Sequence, residues 1–505
     1  MKKHMLSRVL CVLLSLLVLM PIVACGKTDS GDGTATTTAA AAGDSTTTAA
    51  QGGESTSATE ATENTDANGY LKDDIDPSVN FGGKTVSLLH WNDAEHEEFV
   101  AESLNGELIN DAIYNRNRTV EERLGVKIEF IGTKGDTNNE EPFALKLSTS
   151  ISAGDHAYDM ISAYSYTTGM CAARNLLYDL SSVDHLDFEK PWWPEKLIDQ
   201  STINNKLLFV SGDMSANVIY TMYVTFFNKD ILEAQKLEDP YKLVEDGKWT
   251  IDKQFEMCTG VYSDLNGNGV KDAGDRSGLY IYTLHFDAFL WGSDVFIVDS
   301  QGDNFKLSDD FLGEKTVNLQ EKIKSFIYDT NDGFLTQDKS NNHLFFSEGL
   351  SLFWNDRCHR AILYTAENVS YGVLPIPKYS EDQKSYTTLL GNTFSLYGIP
   401  QDCQTPDISG AVLECWASES YRTVTPALYE LSFKYKYSQD DVSAKMFDIA
   451  RSTVVLDLAR IFSNSLGAYK SWQKAIVGDA GWASTVKSNE KPWNNQLDKL
   501  RGIFE

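Results

Sequence analysis

The first third of the chain alternates between short apolar runs and segments with helical periodicity. The runs at 84–91, 126–131 and 158–163 predict strands. Apolar positions three or four residues apart predict helices at 107–124 and 143–151. Strands that alternate with helices in this way predict an α/β fold with a parallel sheet.

Ligands bind at the carboxyl ends of the strands in parallel sheets of this kind. The first predicted strand ends at Trp91 and is followed by Asn92 and Asp93, and Tyr164, Ser165 and Tyr166 follow the third. These residues are therefore candidates for ligand contact, and we select Trp91, Asn92, Tyr164 and Ser165 as site residues. The alternative is that Trp91 and Tyr164 are aromatic residues at the edge of the core.

The segment 205–230 connects two halves of similar pattern. Its apolar runs, Leu207–Val210 and Val218–Phe227, predict two strands, and residues 211–217 between them predict a turn. The two strands are either neighbours in one sheet or the place where the chain crosses from one lobe to another. We favour the crossing, because the segments on both sides have an α/β pattern.

The composition limits the size and the partners of the protein. The 505 residues are 42% hydrophobic, which is enough for a large core divided between two lobes or domains. Lys and Arg number 44 against 72 Asp and Glu, a net charge of −28. This balance argues against a nucleic-acid partner and against an anionic membrane surface as partner, and it does not identify a ligand.

The amino terminus has the pattern of an export signal. Lys2, Lys3 and Arg8 precede a short apolar run at 9–23. The run ends in Ile-Val-Ala-Cys, which resembles a bacterial lipobox and predicts a signal peptide at 1–24 with lipidation of Cys25. The alternatives are an ordinary secretory signal or a signal anchor.

A polar tract separates this signal from the predicted fold. Residues 25–68 follow the signal with Thr, Ala, Ser, Gly and Glu and almost no bulky apolar side chain. Such a sequence predicts a disordered tether, with a reach of about 35 Å as a random coil. Together, the signal, the lipid and the tether predict a domain anchored on the extracellular face of the cytoplasmic membrane of a single-membrane bacterium.

Five cysteines remain after the signal. Their number is odd and no two have a CxxC spacing, which argues against a metal or redox motif. We expect buried free thiols, and one disulfide remains an open alternative.

The segment 264–275 has the spacing of a calcium-binding loop. Calcium takes six to eight oxygen ligands, and D-x-[DN]-x-[DN]-G-x₅-D wraps such oxygens around one ion. Gly269 would make the sharp turn, and Asp275 stands where an EF-hand has glutamate. The alternative is a metal-free loop. The predicted ligands of a structural Ca²⁺ are Asp264, Asn266, Asn268, the Val270 carbonyl, Asp272 and Asp275.

Several scattered motifs in residues 84–505 resemble family 1 extracellular solute-binding proteins, the maltose-binding-protein-like receptors of ABC importers. Residues 205–209 and 224–230 (NKLLF and VTFFNKD) resemble the hinge passage of that family. Residues 111–124 (DAIYNRNRTVEERL) are similar to a helix of its Gram-positive branch, and 371–377 (YGVLPIP) resembles a later strand. Ser211-Gly212-Asp213 departs from the proline that many members carry, which affects the local hinge geometry.

The resemblance implies a two-lobed periplasmic-binding-protein-like fold of the class II type, with a ligand cleft between the lobes. It places lobe 1 at 69–215 and 386–430, and lobe 2 at 216–385 and 431–505. It implies hinge crossings near 211–219, 385–392 and 420–430. The cleft residues that we predict in addition to those of the first sheet are Asp213, Trp291, Trp354, Asn355, Arg357 and Asn392.

The predicted function is therefore not enzymatic. We expect a monomeric lipoprotein that delivers a small solute to ABC permease subunits. Sugars or oligosaccharides are the first candidates, because Trp and Tyr suit the apolar faces of sugars while Asn, Asp and Arg bind hydroxyls. The alternatives are a surface sensor or adhesin with the same fold, and a secreted glycoside hydrolase, although no recognisable catalytic carboxylate motif is present.

Overall fold

The structure is a computed structural model that describes residues 64–300, 305–338 and 341–505. The predicted signal peptide, Cys25 and most of the predicted tether lie outside the described residues. The last part of that tether is hydrogen-bonded to the segment that follows. Thr65 forms a β-bridge with Leu71, and the Lys72 N–H donates to the Asn64 carbonyl over 2.8 Å.

Thirteen strands form the sheets within the described residues. They are β1 Lys84–Trp91, β2 Val126–Thr133, β3 Met160–Tyr164, β4 Tyr223–Asn228, β5 Ser277–Ile281, β6 Val298–Asp299, β7 Lys306–Leu307, β8 Gly333–Leu335, β9 Ser351–Arg357, β10 Tyr371–Pro375, β11 Thr388–Leu389, β12 Ser395–Gly398 and β13 Val454–Val455.

Helices cover and connect these strands. The α-helices of eight or more residues are Leu108–Leu124, Glu140–Ala153, Ser165–Ala173, Ile251–Cys258, His285–Gly292, Glu314–Tyr328, Pro406–Arg422, Asp441–Ser452, Ala468–Val477 and Trp482–Arg501. The shorter ones are Glu195–Ser201, Ala216–Tyr220, Lys229–Gln235, Pro240–Glu245, Asp309–Leu312, Leu344–Ser347, Arg360–Ala366, Leu458–Ile461 and Ser463–Leu466. A 3₁₀ turn at Leu180–Ser182 and a π-helix at Pro426–Tyr437 complete the set.

The first sheet has the strand order β12-β3-β1-β2. Strands β1, β2 and β3 are parallel, and β12 pairs antiparallel to β3. The helix Leu108–Leu124 ends at Gly125, whose φ of 60° is the left-handed conformation that glycine adopts without strain. The parallel α/β arrangement predicted for this segment is therefore confirmed. We call the body built around this sheet the first lobe.

The second sheet has the order β10-β4-β9-β5-β8 and defines the second lobe. Strands β5, β8 and β9 are parallel, whereas β4 runs antiparallel to both of its neighbours. The helix Asp441–Ser452 packs on β10, and the helix Pro406–Arg422 packs on Leu108–Leu124 of the first lobe. The C-terminal part of the chain therefore contributes to both lobes.

The two strands predicted at 207–210 and 218–227 are partly wrong. Residues 207–210 make only one bridge, from Val210 to Tyr397 of β12, and Ala216–Tyr220 is a helix. The carboxylate of Glu98 accepts the Asn217 N–H at the start of this helix over 3.0 Å. All five residues of the helix are buried, and a fully buried helix and a buried strand have the same apolar pattern.

The crossing itself is where the sequence analysis placed it. Val210 bonds with β12 of the first sheet, and β4 begins the second sheet thirteen residues later, at Tyr223. The return passage lies close to it, because the Gly391 N–H donates to the Thr221 carbonyl over 2.7 Å. The chain therefore passes between the two sheets along neighbouring segments.

The remaining cysteines confirm one expectation. All five are buried and carry free thiols; they are Cys171, Cys258, Cys358, Cys403 and Cys415. Burial raises the pKa of Cys171 to about 12, which keeps its thiol protonated. Among the described residues we find no helix with the length and apolarity that a membrane span requires.

Candidate functional site

The carboxyl ends of β1 and β9 face each other across the gap between the lobes. Glu95 and His96 follow β1 in the first lobe, and Arg357 and His359 lie at the end of β9 in the second. Arg357 Nη1 donates to Glu95 Oε2 over 2.6 Å and to Thr393 Oγ1 over 3.0 Å. This is the position at which the strand rule places a ligand site.

The charges in this group are shifted by burial and by one another. Burial alone would raise the pKa of Glu95, but the positive charge of Arg357 holds it below its ordinary value. Burial lowers the pKa of His359 to about 3, and the positive charge of Arg357 adds to the effect. Burial also lowers the pKa of His96, whose ring stacks on Tyr220 with 3.7 Å between centroids. Both imidazoles are thus neutral at physiological pH.

Arg460 is the centre of a second polar group between the lobes. Its Nη1 donates to Asp287 Oδ2 over 3.0 Å, and its Nε donates to Asn392 Oδ1 over 3.0 Å. Its guanidinium also lies 4.9 Å from the centre of the Trp291 ring. The Arg460 and Asp287 side chains are only 6% and 1% exposed, so this is a buried ion pair.

The neighbours of this pair come from both lobes. Gln473 Nε2 donates to Asp287 over 2.9 Å, and Ser165 Oγ donates to the Asn392 carbonyl over 2.7 Å. Burial raises the pKa of Asp287 to about 6, although Arg460 and Gln473 both oppose the rise. A cationic guanidinium, an anionic carboxylate and neutral amide groups therefore meet between the lobes. Recognition of a polar solute requires hydrogen-bonding groups of this kind.

The three tryptophans predicted as cleft residues are interior in this conformation. Trp91, Trp291 and Trp354 are 1%, 0% and 0% exposed. Their indole N–H groups donate to Ser395 Oγ over 2.8 Å, to Asp457 Oδ2 over 2.9 Å and to Asp356 Oδ2 over 3.2 Å. No face of these rings is open to stack on a sugar in this arrangement of the lobes.

The other predicted cleft residues have different surroundings. Tyr164 is buried beside Trp91, whereas Asn92 is exposed. Asn355 is buried within the second lobe, where its Oδ1 accepts from Thr225 Oγ1 over 2.8 Å. Of the predicted set, the structure brings Ser165, Arg357 and Asn392 to the two polar groups between the lobes.

Asp213 lies beside the crossing and is not a member of the two polar groups around Arg357 and Arg460. Its Oδ1 accepts from Thr425 Oγ1 over 2.8 Å and from Arg451 Nη2 over 3.0 Å. A cavity of about 520 Å³ opens here, lined in part by Asp213, Arg451, Val218 and Met222. Its volume falls within the range of about 300–1,000 Å³ that small-molecule sites have.

Sequence reasoning missed Glu95, His96, His359, Asp287 and Arg460. Glu95 and His96 could have been found, because they follow a predicted strand by four and five residues. Nothing near Arg460 in the sequence signals its position, since that depends on how the C-terminal helices fold back between the lobes.

The predicted calcium loop forms a compact turn whose polar side chains bond to the loop itself. The Asp264 carboxylate accepts the Gly267 and Gly269 N–H groups over 2.6 and 2.8 Å. Both glycines have positive φ, 71° and 72°, which the turn requires. Asp275 is buried, and its Oδ1 accepts the Leu265 N–H over 3.2 Å.

The remaining predicted ligands point into the same loop. The amide groups of Asn266 and Asn268 both donate to the Asp272 carboxylate, over 3.0 and 2.6 Å. Lys271 anchors the loop to the second lobe, because its Nζ donates to the carbonyls of Ile327, Thr330 and Gly333. Each of the predicted ligands carries an oxygen atom, the kind of ligand that calcium prefers.

Comparison with known proteins gives matches in structure alone. No protein-family profile matches the chain, and no curated protein sequence matches it. Among solved structures, the chain is similar to the cyclic alpha-maltosyl-1,6-maltose binding protein from Arthrobacter globiformis, with a TM-score of 0.58 at 15% identity, covering 82% of this chain and 99% of that one.

Two further similarities have the same extent. The galacto-N-biose-/lacto-N-biose I-binding protein of the ABC transporter from Bifidobacterium longum gives a TM-score of 0.55 at 12% identity, over 83% of this chain and 98% of that one. UgpB from Mycobacterium tuberculosis, in complex with glycerophosphocholine, gives a TM-score of 0.52 at 14% identity, over 83% of this chain and 99% of that one. The likeness confirms the predicted two-lobed periplasmic-binding-protein-like α/β fold.

Proposed function

We propose that this protein is a solute-binding protein of an ABC importer and carries no enzymatic activity. The observation that carries the proposal is the meeting of polar side chains from two lobes in a fold shared with such proteins. A solute held by Arg357, Asn392 and Arg460 would contact both lobes at once. Solute contacts made only in the closed form would shift the population toward closure.

A sugar or oligosaccharide is the proposed solute. Two of the three similar proteins have names that state a sugar ligand, and the third was solved with glycerophosphocholine. The polar groups between the lobes combine two guanidinium groups with carboxylates and an amide, which suit the hydroxyls of a sugar. Trp91, Trp291 and Trp354 are buried in this arrangement of the lobes and offer no face to a sugar.

The lipid anchor at Cys25 and the location on the extracellular face of the cytoplasmic membrane are part of the same proposal. They rest on the amino-terminal sequence pattern. The closed, solute-loaded form would then dock on permease subunits as a monomer.

The loop 264–275 is proposed to bind one structural Ca²⁺. Its affinity would lie near the 10⁻⁴–10⁻³ M that is typical of extracellular modules. Calcium would raise the melting temperature of the wild type, and Asp264→Ala would abolish the rise because it removes the ligand at the first position. Asp382→Ala, at an exposed aspartate elsewhere in the second lobe, is the matched control. An unchanged calcium response in Asp264→Ala would disprove the site.

The solute proposal is tested by a thermal-shift screen of the mature protein against mono- and oligosaccharides, with calcium present. A solute at a hundred times its Kd adds about 2.7 kcal/mol to the free energy of unfolding. We expect Arg357→Ala and Asn392→Ala to reduce that gain. The control is Arg118→Ala, because Arg118 is half-exposed and, within the described residues, its ion pairs are to Glu121 and Glu122 of its own helix. A gain that survives both variants but is lost in Asp213→Ala would move the site to the cavity beside the crossing.

A further inference from the structure

Two histidines and a glutamate from opposite lobes meet in the gap between β1 and β9. One donor atom from each of Glu95, His96 and His359 lies within 4.8 Å of the others. We propose that they form a binding site for a divalent transition metal of the zinc class. This proposed metal site does not depend on the identity of the solute.

The distances suit a tetrahedral ion after a small adjustment. His359 Nε2 lies 3.6 Å from Glu95 Oε1. Ligands of a tetrahedral zinc ion, each bonded at about 2.0–2.1 Å, stand about 3.3–3.4 Å apart. Two imidazole nitrogens and one carboxylate oxygen form a three-ligand set that leaves a fourth position open for water or another ligand.

Each of the two imidazoles has one buried nitrogen without a hydrogen-bond partner in the described part of the chain. His359 is only 8% exposed, and its Nδ1 is buried without a hydrogen-bond partner; His96 Nε2 is in the same condition. Buried polar atoms in folded proteins are almost always paired, because an unpaired one costs about 1–3 kcal/mol. A metal bound by His359 would use Nε2, the nitrogen that faces Glu95, and would leave His359 Nδ1 unpaired; the unpaired nitrogen that a metal explains is Nε2 of His96.

Arg357 does not occupy the carboxylate oxygen that a metal would use. It donates to Glu95 Oε2, whereas Oε1 is the oxygen on the His359 side. Glu95 would thus bind the metal through one oxygen and Arg357 through the other.

The origin of the ligands gives the site a consequence. Glu95 and His96 belong to the first lobe and His359 to the second, so all three reach one ion only when the lobes are together. A metal that binds this arrangement more tightly than the open one shifts the population toward closure. Bound metal is therefore expected to lower the radius of gyration without any solute.

The experiment titrates Zn²⁺ into the chelator-treated mature protein by calorimetry, with saturating calcium present to fill oxygen-ligand loops. Co²⁺ then replaces zinc as a spectroscopic probe of a tetrahedral site with nitrogen ligands. We expect one ion per chain. Loss of a residue that only hydrogen-bonds to a metal ligand weakens metal binding about 10–100-fold. Glu95→Gln, His96→Gln and His359→Gln each remove a direct ligand, so each should weaken zinc binding by more than that.

Two controls make the result specific. His185→Gln removes an exposed histidine outside the site, and Asp264→Ala disables the proposed calcium loop; both should bind zinc like the wild type. Glu95 is 36% exposed at its side chain, so Glu95→Gln should fold even if the histidine variants do not. The site is disproved if the wild type binds no zinc, or if Glu95→Gln and the folded histidine variants keep wild-type affinity.

Discussion

Arg357 donates a hydrogen bond from Nη1 to Glu95 Oε2 over 2.6 Å, although the two residues are 262 positions apart in the chain. Arg357 ends β9 of the second sheet, and Glu95 follows β1 of the first. The contact therefore joins the two lobes at the carboxyl ends of their strands. It fixes where they meet and identifies side chains that a bound solute would have to contact or displace.

Loss of this contact should favour separation of the lobes. We expect Arg357→Gln to raise the radius of gyration of the solute-free protein, because a charged hydrogen bond between the lobes is lost. Small-angle X-ray scattering measures the change, and Arg118→Gln is the control within one helix. Scattering curves that are the same for both variants and the wild type would show that Arg357 and Glu95 do not hold the lobes together.

The buried pair Arg460 and Asp287 should be costly to break. Arg460→Met leaves the Asp287 carboxylate without its cation, and loss of one partner of a buried pair costs about 3–5 kcal/mol. Urea unfolding measures the loss, and adding Asp287→Asn should recover part of it because the unpaired charge is removed. A single variant as stable as the wild type would mean that water reaches Asp287 in solution.

Substitution of Trp354 should mainly lower the stability of the fold. The side chain is fully buried, and truncation of a buried tryptophan to alanine costs about 3–5 kcal/mol. Trp354→Phe keeps most of the apolar volume and should cost less, as measured by urea unfolding. Trp354→Ala with wild-type stability would show that the ring is not part of the core and would restore it as a cleft residue.

Glu414 should make stability depend on pH. Burial raises its pKa to about 7, against an ordinary 4.5, while the Trp193 N–H that it accepts over 2.9 Å opposes the rise. A raised pKa means that the folded state prefers the protonated acid. The contribution of Glu414 to the free energy of unfolding is therefore complete below pH 4.5 and is lost as the pH rises through 7. The loss amounts to about 3 kcal/mol.

Glu414→Gln removes this titration. The wild type should lose more stability than the variant between pH 3.5 and pH 8, roughly one pH unit below the ordinary pKa of 4.5 and one above the folded-state pKa of about 7. Urea unfolding at both values gives the difference, with Glu381→Gln as an exposed control. Equal pH dependence in Glu414→Gln and the wild type would show that Glu414 ionises freely in the folded state.

The parts of the fold that depend on local pattern could be predicted from the sequence. Strand β1 at Lys84–Trp91 and the helix that ends at Gly125 follow from apolar spacing and a glycine stop. The helix Ala216–Tyr220 could not be predicted in the same way. It is buried on all sides, and its first turn is fixed by Glu98, more than a hundred residues earlier in the chain.

Fewer of the site residues could be predicted from the sequence, for a related reason. An aromatic residue in the core and one in a cleft have the same sequence signal, so Trp291 and Trp354 could be proposed but not placed. Arg460 reaches Asn392 only because the C-terminal helices return between the lobes. Its position is a property of the tertiary fold.

We propose that a solute binds between the two lobes and closes them. The most direct measurement is small-angle X-ray scattering of the calcium-loaded mature protein, with and without each saccharide of the panel. We expect at least one saccharide to lower the radius of gyration, and Arg357→Ala and Asn392→Ala to weaken this effect. A panel in which no saccharide changes the scattering or the melting temperature would contradict the sugar assignment. A saccharide that stabilises the protein without compaction would contradict closure.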